Sequence, residues 1–311
     1  MKLYKLTFNS LSSISKLPDA QTIFGAVCCI ISFTQGEDVL ERYITSFNTN
    51  NPLFVHSSMF IDTLLPMPKV GLISIDEKNK NMSSLSEKEQ LSYLSHLKGF
   101  KKIRYISYDV YKDYIVDSRF NDLRKDIESN KLKIENGIVS KTNADYQLAD
   151  QLVYHTNKET NVDEDRLYYD NNQYFPDDTK FTIYVKTDDI KFVKSVFQYS
   201  QYFGFGSRVS VGKNCFELVD VDMIQYPKSN NEVLLLSKCI DTTFDLEESS
   251  YTLSSETYKG SYYYSSNTIG HFNKFEEGSF MRITENKEYY GRLIEADNGK
   301  KIYHYAIGFV I

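Results

Sequence analysis

One stretch, residues 202–216, constrains the fold more than any other part of the chain. Its glycines, Gly204, Gly206 and Gly212, fall within nine residues, although the whole chain has only fourteen. Glycine reaches φ > 0 without steric cost and lets another backbone approach closely. Asn214 can extend the same turn, because asparagine tolerates the left-handed region. The stretch therefore predicts a tight loop.

The flanking segments fix the order of elements around this loop. Residues 189–199 carry apolar side chains at helical spacing, and residues 215–221 alternate as a strand does. A nucleotide P-loop has the opposite order and places four residues between its glycines, followed by lysine and a hydroxyl residue. Here five residues separate Gly206 from Gly212, and Asn214 replaces the hydroxyl residue. The P-loop is therefore rejected.

The charges of the loop suggest a ligand. Arg208 and Lys213 are its only charged residues. Backbone N–H groups together with two cations could cradle the phosphates of a nucleic acid. A tight turn that binds no ligand is the alternative.

Composition limits the class of protein. The 311 residues are 41% hydrophobic and 25% charged, which is typical of globular proteins, and allow two ordinary domains or one large one. The net charge of −6 argues against a free-standing nucleic-acid binder but allows a local basic groove on a subunit of a larger assembly. The 25 tyrosines and 20 phenylalanines suit stacking surfaces, protein interfaces or an aromatic core.

The cysteines and the N-terminus predict a compartment. Cys28, Cys29, Cys215 and Cys239 show no C-x-x-C pattern and lie in apolar stretches, as reduced thiols of a cytosolic protein do. No signal-peptide pattern opens the chain, and the longest apolar run, residues 23–31, is too short to span a membrane. We expect a cytoplasmic protein without membrane contact, metal or cofactor.

The predicted elements favour an α+β fold. With its polar insertions removed, the first part reads β-α-β-β-α-loop-β, the pattern of a ferredoxin-like unit. A linker-like segment at 226–231 separates it from a second group of strands. The prediction is two ferredoxin-like, RRM-like lobes, at residues 1–226 and 227–311. The predicted strands are 2–8, 53–60, 152–157, 166–174, 180–186, 215–221, 232–240, 261–264, 278–284, 289–294 and 303–310, and the predicted helices are 21–34, 37–47, 119–128 and 189–199.

Two further segments carry local signals. Asn136-Gly137 is a strong hairpin signal, and we expect that hairpin to project from the core. The densest basic run comprises Lys98, Lys101, Lys102 and Arg104. A solvated helix end is the simpler interpretation of this run, and a contact with RNA or a partner is the alternative.

The glycine-rich loop resembles that of the RAMP superfamily, the ferredoxin-like RNA-binding proteins of CRISPR systems, whose pattern is G-φ-G-x5-G-φ-G. Lys213 occupies the second apolar position of that pattern, and Asn214 its last glycine. Residues 17–28 are similar to the S-D-T-L-F-G-A-L-C helix of one RAMP subgroup. They lack its serine but keep Asp19 and Thr22.

Further landmarks of this subgroup follow in the correct order. Residues 54–60 and 65–69 are similar to its S-x-x-F…P-x-P-K segment, and residues 154–157, 167–169 and 277–280 resemble its later landmarks. The chain is identified as a member of this subgroup, the fourth Csm subunit of type III-A CRISPR interference complexes.

The resemblance implies a role and a set of contacts. Such subunits cap the 5′ handle of the crRNA, dock on the large palm-domain subunit and adjoin a backbone subunit, so target RNA is met only indirectly. They neither cut the target nor make the cyclic-oligoadenylate signal. The predicted RNA-binding residues are Thr22, Lys69, His155, Asn157, Arg166, Gly204, Phe205, Gly206, Ser207, Arg208, Ser210, Val211, Gly212, Lys213, Gly278 and Ser279.

The histidines are the residues that bear on whether the chain cuts RNA or only binds it. Some RAMP relatives cut RNA with a histidine, tyrosine or lysine as acid or base. The five histidines lie far apart in sequence, and only His155 falls in a segment that resembles the subgroup's. We therefore expect no catalytic residue. An endoribonuclease that processes guide RNA and a scaffold without RNA contact remain the alternatives.

Overall fold

A computed structural model describes residues 1–71, 82–83, 85–142, 149–157, 166–206, 208–227, 229, 231–259, 268–297 and 301–311. The described helices are α1 (Ala20–Gln35), α2 (Glu37–Asn48), α3 (Glu87–Lys101), α4 (Tyr108–Val110, continued by a π-helical turn at Tyr111–Ile115), α5 (Phe120–Glu128), α6 (Ile190–Phe197) and α7 (Ser200–Phe203). The strands of the first part are β1 (Lys2–Ser10), β2 (Phe54–Ile61), β3 (Leu65–Pro66), β4 (Tyr105–Ile106), β5 (Lys133–Glu135), β6 (Ile138–Ser140), β7 (Ala149–Asn157), β8 (Arg166–Tyr174), β9 (Lys180–Thr187) and β10 (Phe216–Met223). Those of the second part are β11 (Glu232–Leu234), β12 (Phe244–Ser250), β13 (Leu253–Lys259), β14 (Thr268–Phe275), β15 (Phe280–Ile283), β16 (Tyr290–Asp297) and β17 (Lys301–Gly308). This is an α+β protein, as predicted.

The central sheet has the strand order β10-β1-β9-β2, and every neighbouring pair is antiparallel. Leu6 in β1 lies opposite Ile183 in β9 and Val221 in β10. The helices α1 and α6 belong to the same unit, because Gln35 Nε2 donates to Ser195 Oγ at 3.1 Å. The glycine-rich loop therefore connects a helix with an edge strand of this sheet.

A capping residue at each end sets the bounds of helix α1. Asp19 caps the first turn by accepting from the Thr22 N–H at 2.9 Å, and Gly36 ends the helix at φ 93°. Its inward face, which includes Ile23, Val27 and other apolar residues, is fully buried. Because α1 contains no charged residue, packing of this face is its main source of stability.

The hairpin at Asn136-Gly137 forms but does not project. Asn136 and Gly137 have φ values of 51° and 79°, as a two-residue hairpin turn requires. Strand β6 also pairs with β4 in the mixed sheet β3-β4-β6-β5, and Ile138 and Val139 are fully buried. The expectation of a projecting hairpin here is wrong, because burial of these two side chains holds β6 in the sheet.

A different pair of strands forms a ribbon. β7 and β8 pair over nine residues, from Ala149↔Tyr174 to Asn157↔Arg166, as a two-stranded sheet. At its base, Gln173 bridges to Ile14, and its N–H donates to the Ile14 carbonyl at 2.7 Å. The ribbon is therefore attached beside the segment that follows β1.

The part after residue 231 is built from strands in its described ranges. β11-β15-β12 form one sheet, and β13-β14 and β16-β17 form two more. The described residues there contain no helix. Its residues Leu236, Tyr305 and Phe309 belong to the same apolar core as the first part, so the core continues across the predicted boundary at 226/227.

Sequence patterns missed three strands of this second part and the first turn of a helix. β12, β13 and β14 were not predicted, whereas the predicted strand at 261–264 lies outside the described residues. Helix α3 begins at Glu87, inside a segment predicted as loop, because Ser86 and Glu89 form a capping box. No helix in the described ranges is long and apolar enough to cross a membrane.

Candidate nucleic-acid interface

The glycine-rich loop runs from α7 to β10, which confirms the predicted order of helix, loop and strand. It closes on itself where the Phe205 N–H donates to the Asn214 carbonyl at 2.8 Å. A short 3₁₀ turn at Val209–Val211 lies between these two ends. The loop is therefore a compact structure with one outward-facing turn.

The three glycines have the conformations that the sequence predicted. Gly204, Gly206 and Gly212 have φ values of 62°, 102° and 79°. A Cβ on Gly204 would lie 2.9 Å from the Asn214 carbonyl oxygen, and one on Gly206 would lie 2.8 Å from Thr22 Cγ2. Around Gly212 the space is open. Two of the glycines are thus required by close approaches, and the third by its backbone conformation alone.

Phe205 anchors the loop from inside. Its side chain is fully buried and contacts the rings of Phe8, Phe197 and Phe216 at centroid distances of 6.1, 6.1 and 5.8 Å. Its ring is therefore part of the core, and only its backbone could face a ligand.

Asn214 fastens the loop to the segment after β1. Its Oδ1 accepts from the Ser15 N–H at 2.9 Å, and its Nδ2 donates to Ser15 Oγ at 3.0 Å. Its own N–H donates to the Ser13 carbonyl at 3.0 Å. With φ at 56° and 1% exposure, Asn214 fills a left-handed position that the family pattern gives to glycine. The partner segment, 12–15, was not singled out from the sequence, because its serines carry no long-range signal.

The two cations of the loop have different environments. Lys213 is 9% exposed, and its Nζ donates to Asn172 Oδ1 of the ribbon strand β8 at 2.8 Å. Arg208 is exposed at φ 64°, beside exposed Ser210 and Val211. Arg208 is thus placed to meet a ligand, whereas Lys213 joins the loop to the base of the ribbon. Ser207 lies outside the described residues.

The N-terminus of α1 lies against this loop. Thr22, in the first turn, is the neighbour that leaves no room for a Cβ on Gly206. The first turn of a helix presents N–H groups and the positive end of the helix dipole. Asp19 uses one of these N–H groups. Its burial raises the pKa of the carboxyl, but the hydrogen bonds from Thr22 and the charges of Lys238 and Lys16 outweigh burial and lower it.

A second group of predicted residues lies at a turn that a hydrogen-bond chain connects to the same helix end. The Lys69 N–H donates to the Gly278 carbonyl at 2.8 Å, and Lys69 Nζ pairs with Glu276 at 3.8 Å. Gly278, at φ 81°, approaches the Met67 carbonyl so closely that a Cβ would lie 2.7 Å from it. Ser279 is fully buried. Gly278 and Ser279 therefore have a structural role at the junction of the two parts.

The link from this turn to α1 is a chain of hydrogen bonds. Ser58 Oγ donates to the Glu277 carboxylate and accepts from the Ala20 N–H, the latter at 2.9 Å. The α1 N-terminus thus contacts the glycine-rich loop through Thr22 and is linked to the 276–279 turn through Ala20 and Ser58. Of the other predicted residues, His155 pairs with Tyr168 and Asn157 with Arg166 in the ribbon, and their side chains lie outside the described part.

Glu277 gives this junction a predicted pH dependence. Burial raises the pKa of its carboxyl from an ordinary 4.5 to about 7. Between those pH values the folded protein holds a proton that the unfolded chain has lost, so stability falls as pH rises through this window. Glu277→Gln has no carboxyl to ionise, so it avoids the free energy that the wild type loses when buried Glu277 becomes charged. We expect the variant to be more stable than the wild type by roughly 2–3 kcal/mol at pH 8 but similar to it below pH 4.5.

Urea denaturation at pH 4 and pH 8 measures this difference. Glu247→Gln, at an exposed position of β12, is the control and should differ little from the wild type at both. An equal effect of Glu277→Gln at the two pH values would show that burial does not control this carboxyl.

Comparison with solved structures identifies the fold. The chain matches a chain of the "Csm3-Csm4 subcomplex in the type III-A CRISPR-Cas interference complex" with a TM-score of 0.65 and 16% identity, over 100% of this chain and 98% of that chain. It matches a chain of the "Csm1-Csm4 cassette in complex with pppApA" with a TM-score of 0.57 and 14% identity, over 100% and 97%. Csm4 is the subunit that both complexes contain.

The match agrees with the resemblance read from the sequence. The structure has the fold of a Csm4-like subunit, which confirms that prediction at the level of fold. No protein-family model matches the chain, and no curated protein matches it.

Proposed function

We propose that this chain is a non-catalytic RNA-binding subunit of a type III-A CRISPR interference complex, in which it holds the 5′ handle of the crRNA for antiviral defence. The observation that carries the proposal is the full-length match to Csm4-containing complexes. The glycine-rich loop beside the α1 N-terminus adds a local reason, since it presents an exposed arginine together with backbone in an exposed turn.

The fold of the first part supports a ferredoxin-like lobe. Its elements follow the chain order β1, α1, β2, β9, α6, β10, and its sheet order is β10-β1-β9-β2. This is the arrangement of a β-α-β-β-α-β unit with insertions after β2. For residues 227–311 we keep the proposal of a smaller second lobe that shares the core of the first.

Two surfaces would receive the RNA. The exposed turn of the loop, residues 208–212, would contact phosphates through Arg208 and backbone N–H groups. The ribbon β7–β8, which carries His155, Asn157 and Arg166, takes the role of the projecting hairpin first expected at Asn136-Gly137. Lys213 would act by holding the ribbon against the loop, because its amino group is already bonded to Asn172.

The partners follow from the complexes that the fold matches. Csm4 is paired with Csm3 in one and with Csm1 in the other. We propose corresponding contacts of this chain with a backbone subunit and with a large palm-domain subunit, in the cytoplasm. Contact with target RNA would be indirect.

Two buried histidines support binding without cleavage. His56 is fully buried, and its ring stacks on Tyr305 at 4.7 Å. His304 is 1% exposed and stacks on Phe272 at 4.9 Å. Burial lowers the pKa of both imidazoles, to about 4 and about 3. Neither is placed to exchange protons with an RNA substrate.

The proposal is tested on the complex copurified with its genomic neighbours. We expect it to contain small RNAs that share one 5′ sequence. Arg208→Gln should reduce the slope of log K against log salt by about 0.7, because the variant neutralises one phosphate of a single strand fewer. Arg42→Gln, at an exposed position of α2, is the matched control and should leave the slope unchanged. Absence of bound RNA would contradict the proposal, and cleavage of precursor RNA by the purified chain would favour an endoribonuclease.

A further inference from the structure

A cationic surface lies at the end of α3, away from the glycine-rich loop. We define the α3 basic surface as Lys98, Lys101, Lys102 and Arg104, all of which are exposed. Within the described ranges, none of the four makes an ion pair. Four such cations within seven residues contrast with a chain whose net charge is −6.

The helix dipole explains only part of this charge. Lys98 and Lys101 lie in the last turn of α3, where cations offset the negative end of the dipole. Lys102 is the C-cap, and Arg104 lies beyond the helix. The longer helix α1 has no basic residue in its last turn, so a helix of this length in this chain does not require such charges.

The backbone of this surface is held rigidly. The Arg104 N–H donates to the Gly137 carbonyl at 2.7 Å, and the Arg104 carbonyl accepts from the Met67 N–H at 2.8 Å. Ile103 between the cations is buried, at 7% exposure. A Cβ on Gly137 would lie 2.9 Å from the Lys102 carbonyl oxygen, so the hairpin turn packs directly beneath. The backbone that carries Lys102 and Arg104 is therefore held before any ligand arrives.

The surface continues to the candidate interface through Lys69. Lys69 follows Met67 by two residues of extended chain, about 7 Å. It bonds to Gly278, in the turn that connects through Glu277 and Ser58 to the α1 N-terminus. The main chain at Met67 and Lys69 thus bonds to Arg104 at the end of α3 on one side and to the turn at Gly278 on the other.

We propose that the α3 basic surface binds the sugar–phosphate backbone of the same RNA whose end lies at the glycine-rich loop. The RNA would pass the α1 N-terminus and Lys69 to reach Arg104, Lys102 and Lys101. Lysine and arginine contacts of this kind stabilise binding without reading bases. This inference rests on the proposed function and extends its RNA site.

The test uses the copurified complex with Lys101→Gln, Lys102→Gln and Arg104→Gln combined. A control triple, Lys2→Gln, Lys112→Gln and Lys125→Gln, makes the same change in net charge at other exposed positions. Because the triple variant neutralises three fewer phosphates of a single strand, the slope of log K against log salt should fall by about two units. The corresponding decrease in affinity is about 100-fold at 0.1 M salt. Guide RNAs shortened stepwise should lose this difference once they no longer reach the surface.

The outcomes separate this inference from the proposed function. If the triple variant binds RNA as the control does, while Arg208→Gln still lowers the slope, only the α3 surface is wrong. If wild-type complex binds no RNA, the proposed function fails first. If the triple variant fails to assemble, the surface is a protein contact and the inference is overturned. Arg104→Gln alone, with an expected slope change of about 0.7, replaces the triple variant should that not fold.

Discussion

Gly291→Ala is expected to lower the free energy of unfolding by roughly 3–5 kcal/mol, a large fraction of the stability of an ordinary protein. Gly291 lies in β16 at φ 81°, and a Cβ there would lie 2.1 Å from the Ala306 carbonyl oxygen in the paired strand β17. The Ile240 carbonyl oxygen would lie 3.1 Å away on another side. Both obstacles are backbone atoms, so relief requires β16 and β17 to separate.

Urea denaturation of the purified chain measures this effect. Gly99→Ala is the control, because Gly99 lies inside α3, where an added Cβ would have no atom within 4 Å. Alanine should stabilise that helix by about 0.5–1 kcal/mol. A Gly291→Ala variant whose free energy of unfolding lies within about 1 kcal/mol of the wild type would contradict the pairing of β16 with β17.

Gly204→Ala is expected to lower the free energy of unfolding by roughly 3 kcal/mol and to disrupt the glycine-rich loop itself. Gly204 has φ 62° and ψ 176°, a combination that is essentially restricted to glycine. The added Cβ would lie 2.9 Å from the Asn214 carbonyl oxygen and 3.0 Å from Val209 Cγ2. The Asn214 carbonyl cannot retreat without losing its hydrogen bond from Phe205.

Gly212→Ala is the matched control within the same loop. Gly212 also has positive φ, 79°, but lies in the left-handed region with open space around it. Gly212→Ala should lower the free energy of unfolding by only about 1 kcal/mol. Denaturation and RNA affinity of the complex are measured for both variants. Equal effects on stability and on RNA affinity would contradict the packing described for Gly204.

The loop was predicted because its signals, the glycine spacing and the change from helical to strand periodicity, lie within one short segment of the chain. The helix α1 was predicted for the same reason, since Asp19, Gly36 and its apolar face suffice to define it. The sequence did not predict that Lys213 points inward, because its partner Asn172 is 41 residues away in the chain. The turn at Asn136-Gly137 was predicted, but parallel pairing of β6 with β4 decides whether it projects.

Polar strands of the second part escaped prediction for a related reason. β12 carries Asp245, Glu247 and Glu248, and its strand conformation depends on pairing with β15 rather than on its own alternation. The cluster of Glu277, Ser58 and the α1 N-terminus is likewise formed by residues far apart in sequence. Long-range pairing of this kind leaves no pattern in a single segment.

Ultraviolet crosslinking of the copurified complex, followed by mass spectrometry, tests the central claim most directly. The account predicts RNA-crosslinked peptides of this chain from the glycine-rich loop, residues 202–216, and from the ribbon β7–β8. Crosslinks confined to the other subunits, or to surfaces of this chain away from the α1 N-terminus, would contradict it.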